Sequence, residues 1–332
     1  MSTPPEDSKL EEPNLPDPPV RSGCPTEEWR KRHPDLYENV RKALEALPNH
    51  FTSHISIGGI GATDLFSFNS ALGTGIEQSV VESLNAMRAV WDPTDKYQTY
   101  RFVRHAQSFP DVRLEDSGSD SKEPILLGIE LKGWFALSKE MEPSFRFTVT
   151  PKACAEQDLL VVVPWVFSNV ISGVPKLLPP FIEEARWAAQ KRNYHWLYER
   201  RNQSKSKAEI RPASHRQPYP PKSANSSDAA LNDSGGNFGR AARSGVMPKF
   251  VGDTLRLDAA GIPIVYWIKF LRAFTEGSSE KAIEAAIKGF SEEAKRLAPL
   301  SEVDRLSVIA YLEALLKVAK EWSSEDDAAT EQ

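Results

Sequence analysis

Phe109-Pro-Asp-Val-Arg-Leu114, a polar interval from Glu115 to Pro124, and Ile125-Leu-Leu-Gly-Ile-Glu-Leu-Lys-Gly-Trp134 together read as two strands joined by a turn. Asp111 to Leu114 is a strand candidate, and the interval after it carries Gly118, which suits a hairpin turn. Ile125 to Leu137 is strongly apolar, as expected of a central strand covered on both faces. Glu130 and Lys132 stand two apart in it. The period of an extended chain sends both side chains out of one face, while Ile129 and Leu131 leave the other. A Glu and a Lys taken together into an apolar strand cost free energy unless they pair or hold an ion. The string Asp/Glu-any-Lys begins at Asp7, Asp120, Glu130 and Glu293. Of these, Glu130 alone lies in an apolar strand candidate and follows a Pro-Asp that opens another.

Such residues suit one kind of chemistry. A hard cation such as Mg²⁺ takes oxygen ligands, commonly one or two carboxylates with water and phosphate oxygens. Asp111 and Glu130 supply carboxylates, and the Leu131 carbonyl adds a further oxygen. A metal held there polarises a phosphate and lowers the pKa of an attacking water. Lys132 is placed to stabilise developing charge or to orient that water. The competing reading is a buried Glu130–Lys132 ion pair in an inert core.

Pro110-Asp111 followed by Glu130-Leu131-Lys132 resembles the PD-(D/E)XK nucleases, which include many type II restriction endonucleases. The resemblance covers roughly residues 70–170. It implies an α/β (α+β) fold with a mixed central sheet flanked by helices, dependence on Mg²⁺ and hydrolysis of phosphodiester bonds in double-stranded DNA. Such nucleases often carry a further acidic residue on a preceding helix. Glu77 occupies that place, and Glu82 sits further round the helix. A restriction enzyme that cuts a palindrome is expected as a homodimer, with a cognate methyltransferase acting separately. A repair or structure-specific nuclease, a nuclease subunit of a larger defence complex, and a non-catalytic DNA-binding protein on a decayed core stay open.

Outward from this fragment, Gly75 to Val90 has apolar residues at helical spacing, with Ile76, Val80, Leu84 and Met87 on one face. A helix is expected to begin near Pro25-Thr-Glu-Glu28, and Leu36, Val40, Leu44 and Leu47 mark another. The glycines of Ile55-Ser-Ile-Gly-Gly-Ile-Gly61 lack the Gly-Lys-Ser/Thr ending of a phosphate loop, so a tight loop with unusual backbone angles is the better reading. Tyr97 to Val103, Phe145 to Val149 and Leu159 to Val163 read as strands, and Pro180 to Arg201 as a helix. The order predicts five parts: a disordered acidic, proline-rich tail (1–25), the core (26–202), a flexible polar insertion (203–236), a helical C-terminal region (237–322) and an acidic tail (323–332). Ser301-Glu-Val-Asp looks like a capping box within the fourth.

The chain has 332 residues and a net charge of -5. That balance hides local differences. Residues 1–29 hold seven acidic and two basic residues, whereas 186–216 hold nine Lys or Arg and two Glu. A whole-chain average therefore does not argue against an anionic partner. Lys191, Arg192, Arg200 and Arg201, with Arg240 and Arg243 further on, are candidate DNA contacts. Trp187, Tyr194 and Trp196 among them read as core. His105 and His195 lack a companion nucleophile and read as polar contacts. Cys24 and Cys154 have no metal-site spacing, and Cys154 reads as a small half-buried residue. No apolar run approaches the roughly 20 residues of a membrane span. The N-terminus lacks a signal-peptide pattern, so a cytoplasmic location is expected.

Overall fold

A computed structural model describes residues 15–273 except 24, 60–61, 119–120, 201–207 and 234, together with 279, 281, 285 and 288. Arg201, most of the N-terminal tail, the whole C-terminal tail and nearly all of 274–322, including the Ser301 capping box, lie outside the described residues.

The quoted fragment is a hairpin. Its strands are β2 (Val112–Asp116) and β3 (Ile125–Phe135). They run antiparallel, with Val112 opposite Ile129 and Leu114 opposite Leu127. Before them, β1 (Tyr100–Arg104) pairs antiparallel with β2. After them, β4 (Leu159–Phe167) runs parallel to β3, with Ile129 opposite Leu159 and Lys132 opposite Val162. The far edge of β4 is shared. The strand β5 (Pro175–Leu177) pairs with its C-terminal half and β6 (Phe181–Glu184) with its N-terminal half. The protein is therefore α+β, built on a mixed, curled central sheet flanked by helices.

Alternation along the strands divides the interior into two cores. Ile129 and Leu131 of β3 and Leu159, Val161 and Val163 of β4 leave one face. They pack there with residues of α2 (Leu36–His50), α3 (Ala62–Ala86) and the short α4 (Arg88–Trp91), such as Leu44, Ile76, Val80 and Trp91. Trp134, Leu160 and Val162 leave the other face. There they meet Phe109, Phe147 and the alanines of α5 (Ala185–Tyr194). Every residue of β4 is buried, which explains why its sequence is apolar without alternation. A short helix α1 (Glu27–Arg32) opens where expected, capped by the Thr26 hydroxyl, which accepts from Trp29 N at 3.2 Å.

Several expectations are corrected. Residues 181–184, read as the start of a helix, form β6, because the exposed edge of β4 takes up their backbone groups. The helix that follows ends at Tyr194 and widens into a π-turn over His195–Glu199. Phe145 to Val149 is held by isolated bridges, Arg146 to Arg240 and Val149 to Ser227, and forms no continuous strand. Gly58 and Gly59 do not take left-handed backbone angles. The insertion is not a free excursion where it is described. Ile210–Arg211 pairs with Ala229–Ala230, and its backbone bonds to the core at Thr150 and Thr148. The part from 237 to 273 is only partly helical. A turn at Ala241–Arg243 leads to the seven-residue α6 (Pro248–Thr254), a two-stranded hairpin of Asp258–Ala259 with Ile262–Pro263, and α7 (Ile264–Ala273). Among the described residues, no helix is long and apolar enough to cross a membrane.

Candidate active site

Asp111 stands immediately before β2, at the end of a loop closed by a 2.7 Å bond from His105 N to Asp111 O. Gly128 of β3 lets that loop lie on the sheet. A Cβ there would fall 2.2 Å from Pro110 Cγ and 2.7 Å from Asp158 Oδ1. With the loop seated, Asp111 reaches the face from which Glu130 and Lys132 project. Lys132 Nζ lies 2.6 Å from Asp111 Oδ2 and 2.9 Å from Glu130 Oε1. Leu131, between them, buries its side chain in the opposite core, so its main chain is the part of it that a ligand on this face could use.

The electrostatics follow from burial. Glu130 is 9% exposed, and its Oε2 is buried with no hydrogen-bond partner. Desolvation raises its pKa above the ordinary carboxylate range. Lys132 and the Asp111 backbone N–H oppose that rise, while the Asp111 charge adds to it. Desolvation acts to lower the Lys132 pKa, but the two carboxylates outweigh it and hold the amine charged. An orphaned buried oxygen beside a second carboxylate is a place where a cation could be accepted. Asp111 and Glu130 fit Mg²⁺ in this respect, since that ion commonly uses one or two carboxylates and keeps several waters. Among the described residues, no three His, Cys, Asp or Glu side chains gather as a metal-holding group.

The pair forms part of a cleft of about 260 Å³. Phe147 to Val149 makes one wall and Pro220 to Ser227 the other, with Gln107 and Ser108 at the rim. The second wall belongs to the insertion, anchored by Tyr219, whose hydroxyl donates to Asp158 Oδ1 at 3.0 Å. Asp158 is fully buried and also accepts from Gly128 N at 2.8 Å and Ala155 N at 2.7 Å. Burial lifts its pKa to about 6 against the pull of these bonds. Arg146 and Lys222 also line the cleft, and both are exposed. Neither has a salt-bridge partner among the described residues. Sequence reading missed both. Arg146 sits alone among apolar and polar neighbours, and Lys222 sits in a stretch with no periodicity.

The other expected site residues are dispersed. Glu77 pairs with Arg104 Nη2 at 3.1 Å. Arg104 is opposite Val112, and Val112 opposite Ile129, so this pair belongs to the α3 side of the sheet, whereas Glu130 and Lys132 leave the other side. Arg192 is corrected from a DNA contact to a core residue: it is 2% exposed and binds Asp228 Oδ2 at 2.9 Å and the carbonyls of Phe147 and Val149. Its burial lowers its pKa to about 10 despite Asp228. Lys191 is paired with Glu199, which also binds His195 at 2.8 Å. Arg243 is paired with Glu142, and Arg200 stacks on Trp196 with 3.9 Å from its Cζ to the ring. His105 binds Glu115 at 2.8 Å. Cys154 is wholly buried, with its thiol pKa raised by desolvation, so it is no nucleophile.

The chain was compared with protein-family models, curated proteins and solved structures, and it matches none of them.

Proposed function

We propose that Asp111, Glu130 and Lys132 form the centre of a Mg²⁺-dependent endonuclease that hydrolyses phosphodiester bonds of double-stranded DNA, on a restriction-endonuclease-like core. The observation that carries this reading is the Lys132 ammonium held between two carboxylates that line a cleft, one of them with a buried oxygen left unpartnered. An inert core pair is better served by full satisfaction of its polar atoms. Bound Mg²⁺ would supply charge stabilisation and a more acidic water. The chain's own groups have definable tasks. Asp111 and Glu130 would hold that cation. Lys132 stays charged and offsets negative charge gathering on the phosphate. Arg146 and Lys222 neutralise neighbouring phosphates.

Restriction is the preferred task, with a homodimer and a separate methyltransferase as the partners it calls for. The test is incubation of the purified chain with unmodified duplex DNA, with Mg²⁺ or EDTA. Discrete, reproducible fragments that need Mg²⁺ and vanish in Asp111→Asn, Glu130→Gln and Lys132→Met are expected. Cleavage confined to branched or damaged DNA would move the task to repair. Binding without hydrolysis, or unchanged cleavage in folded variants, would overturn the active-centre assignment.

A further inference from the structure

A second cavity, of about 180 Å³, lies between the π-turn after α5 and the loop from Asn237 to Ser244. Its walls carry Arg192, His195, Arg200, Arg240 and Arg243, with Trp196 and Phe238 among the lining. The acidic groups nearby are already engaged: Glu199 by Lys191 and His195, Glu142 by Arg243, and Asp228 by Arg192. Arg200 and Arg240 have no carboxylate partner among the described residues. Each also buries a donor without an acceptor, Arg200 Nη1 and Arg240 Nε. A third such donor is the indole Nε1 of Trp196, which is 4% exposed. Burying three N–H groups unmet is costly, because each forfeits its hydrogen bonds to water without replacement. All three side chains line this cavity, so an acceptor lodged there that offers several oxygens is the group their donors could turn to meet.

We infer that this cavity is a binding site for a phosphate group, with Arg200 and Arg240 as its anchors and Trp196 as a supporting donor. Guanidinium groups match the oxygens of a tetrahedral oxyanion in a forked arrangement. The size agrees, because sites that enclose drug-sized ligands run to roughly 300–1,000 Å³ and this one is smaller. Three unmet donors on three separate side chains suit the three-dimensional spread of oxygens on a tetrahedral phosphate better than the planar pair of a carboxylate. Gly239 lets this loop pack closely against Thr148. Its φ of +85° is left-handed, and a Cβ there would meet Thr148 Cγ2 at 2.7 Å. The site stands independently of hydrolysis at Asp111. It borders the cleft through the bridge between Arg146 and Arg240, so the phosphate could belong to a nucleic-acid strand or to a free phosphate or monoester.

The test is titration of the full-length protein with inorganic phosphate and, separately, with a short single-stranded oligonucleotide, at constant ionic strength set with chloride. Calorimetry and the indole ¹⁵N–¹H spectrum provide the readouts, with the Trp196 signal assigned from Trp196→Phe. Saturable binding of at least one probe is expected, with a shift of the Trp196 indole signal. Arg200→Met and Arg240→Met should each weaken it roughly tenfold or more, and Arg256→Met, at an exposed surface position, should not. Phosphate binding alone assigns a free phosphate or monoester as the source; oligonucleotide binding that phosphate displaces assigns a strand. If neither probe moves the indole signal beyond the chloride control, or if folded Arg200→Met and Arg240→Met bind as wild type does, the inference is overturned. The wild-type spectrum decides the matter even where a variant fails to fold.

Discussion

Lys132 Nζ sits 2.6 Å from Asp111 Oδ2, joining residues 21 positions apart in the chain. The pairing of β2 with β3 brings them together, and Gly128 makes the approach of the Asp111 loop sterically open. The same amine lies 2.9 Å from Glu130, so one cation restrains two carboxylates that would otherwise repel.

Replacing Lys132 by Met therefore does two things. Cleavage falls by roughly 10²–10³-fold, the usual size of losing a group that stabilises transition-state charge. Stability at neutral pH drops by about 3 kcal/mol, because two carboxylates lose their buried counter-charge. Chemical denaturation at pH 7 and pH 5 checks this. The deficit should shrink at pH 5, where a proton taken up by Glu130, whose pKa burial raises, offsets the missing ammonium.

Gly128→Ala should damage the site without touching any charged group. The added methyl meets Pro110 Cγ at 2.2 Å and Asp158 Oδ1 at 2.7 Å, so the loop bearing Asp111 must lift. A loss of about 1–3 kcal/mol is expected from such overpacking, together with reduced cleavage. Equal activity and an unchanged melting temperature would contradict the seating of Pro110 on β3.

The wall formed by the insertion depends on Tyr219. Tyr219→Phe removes its bond to Asp158 and should cost about 1 kcal/mol. Asp158→Ala removes the same bond and also strands Gly128 N and Ala155 N, so it should cost more, about 3 kcal/mol. Limited proteolysis offers a second readout: cleavage within 208–233 should quicken in both variants.

Arg192→Met tests a buried ion pair. Arg192 and Asp228 side chains are each 2% exposed. Leaving Asp228 unpaired should destabilise the protein by about 3–5 kcal/mol. Any DNA affinity retained by the folded fraction should keep its wild-type salt dependence, since a core arginine neutralises no phosphate.

His33 gives a pH signature. Desolvation, then Lys96 and Arg32, lower its pKa from 6.5 to about 4. Tyr97 and Glu123 face its two ring nitrogens at 3.2 and 3.1 Å. In the unfolded chain the ring protonates first, so its contribution to stability is whole above pH 6.5 and is lost as pH falls from 6.5 towards 4. His33→Gln should flatten the fall in melting temperature across that window.

The hairpin, the apolar central strand and the shared face of Glu130 and Lys132 were legible from local sequence, because the period of an extended chain decides which side chains project together. Leu159 to Val163 was legible for a related reason: a strand covered on both faces must be apolar throughout. The short β6 was not. Phe181-Ile-Glu-Glu184 has no strong local preference, and its state is decided by the free edge of β4 beside it.

Local sequence alone therefore sets which residues can do ionic chemistry on one strand, and which helices carry a continuous apolar stripe. Tertiary structure decided which charges meet. It sent Glu77 to Arg104 across the sheet, buried Arg192 against Asp228, and brought Arg146 and Lys222 into the cleft. These outcomes rest on contacts between segments distant in the chain. Solvation and pairing energies at such contacts depend on three-dimensional neighbours, which local periodicity does not encode.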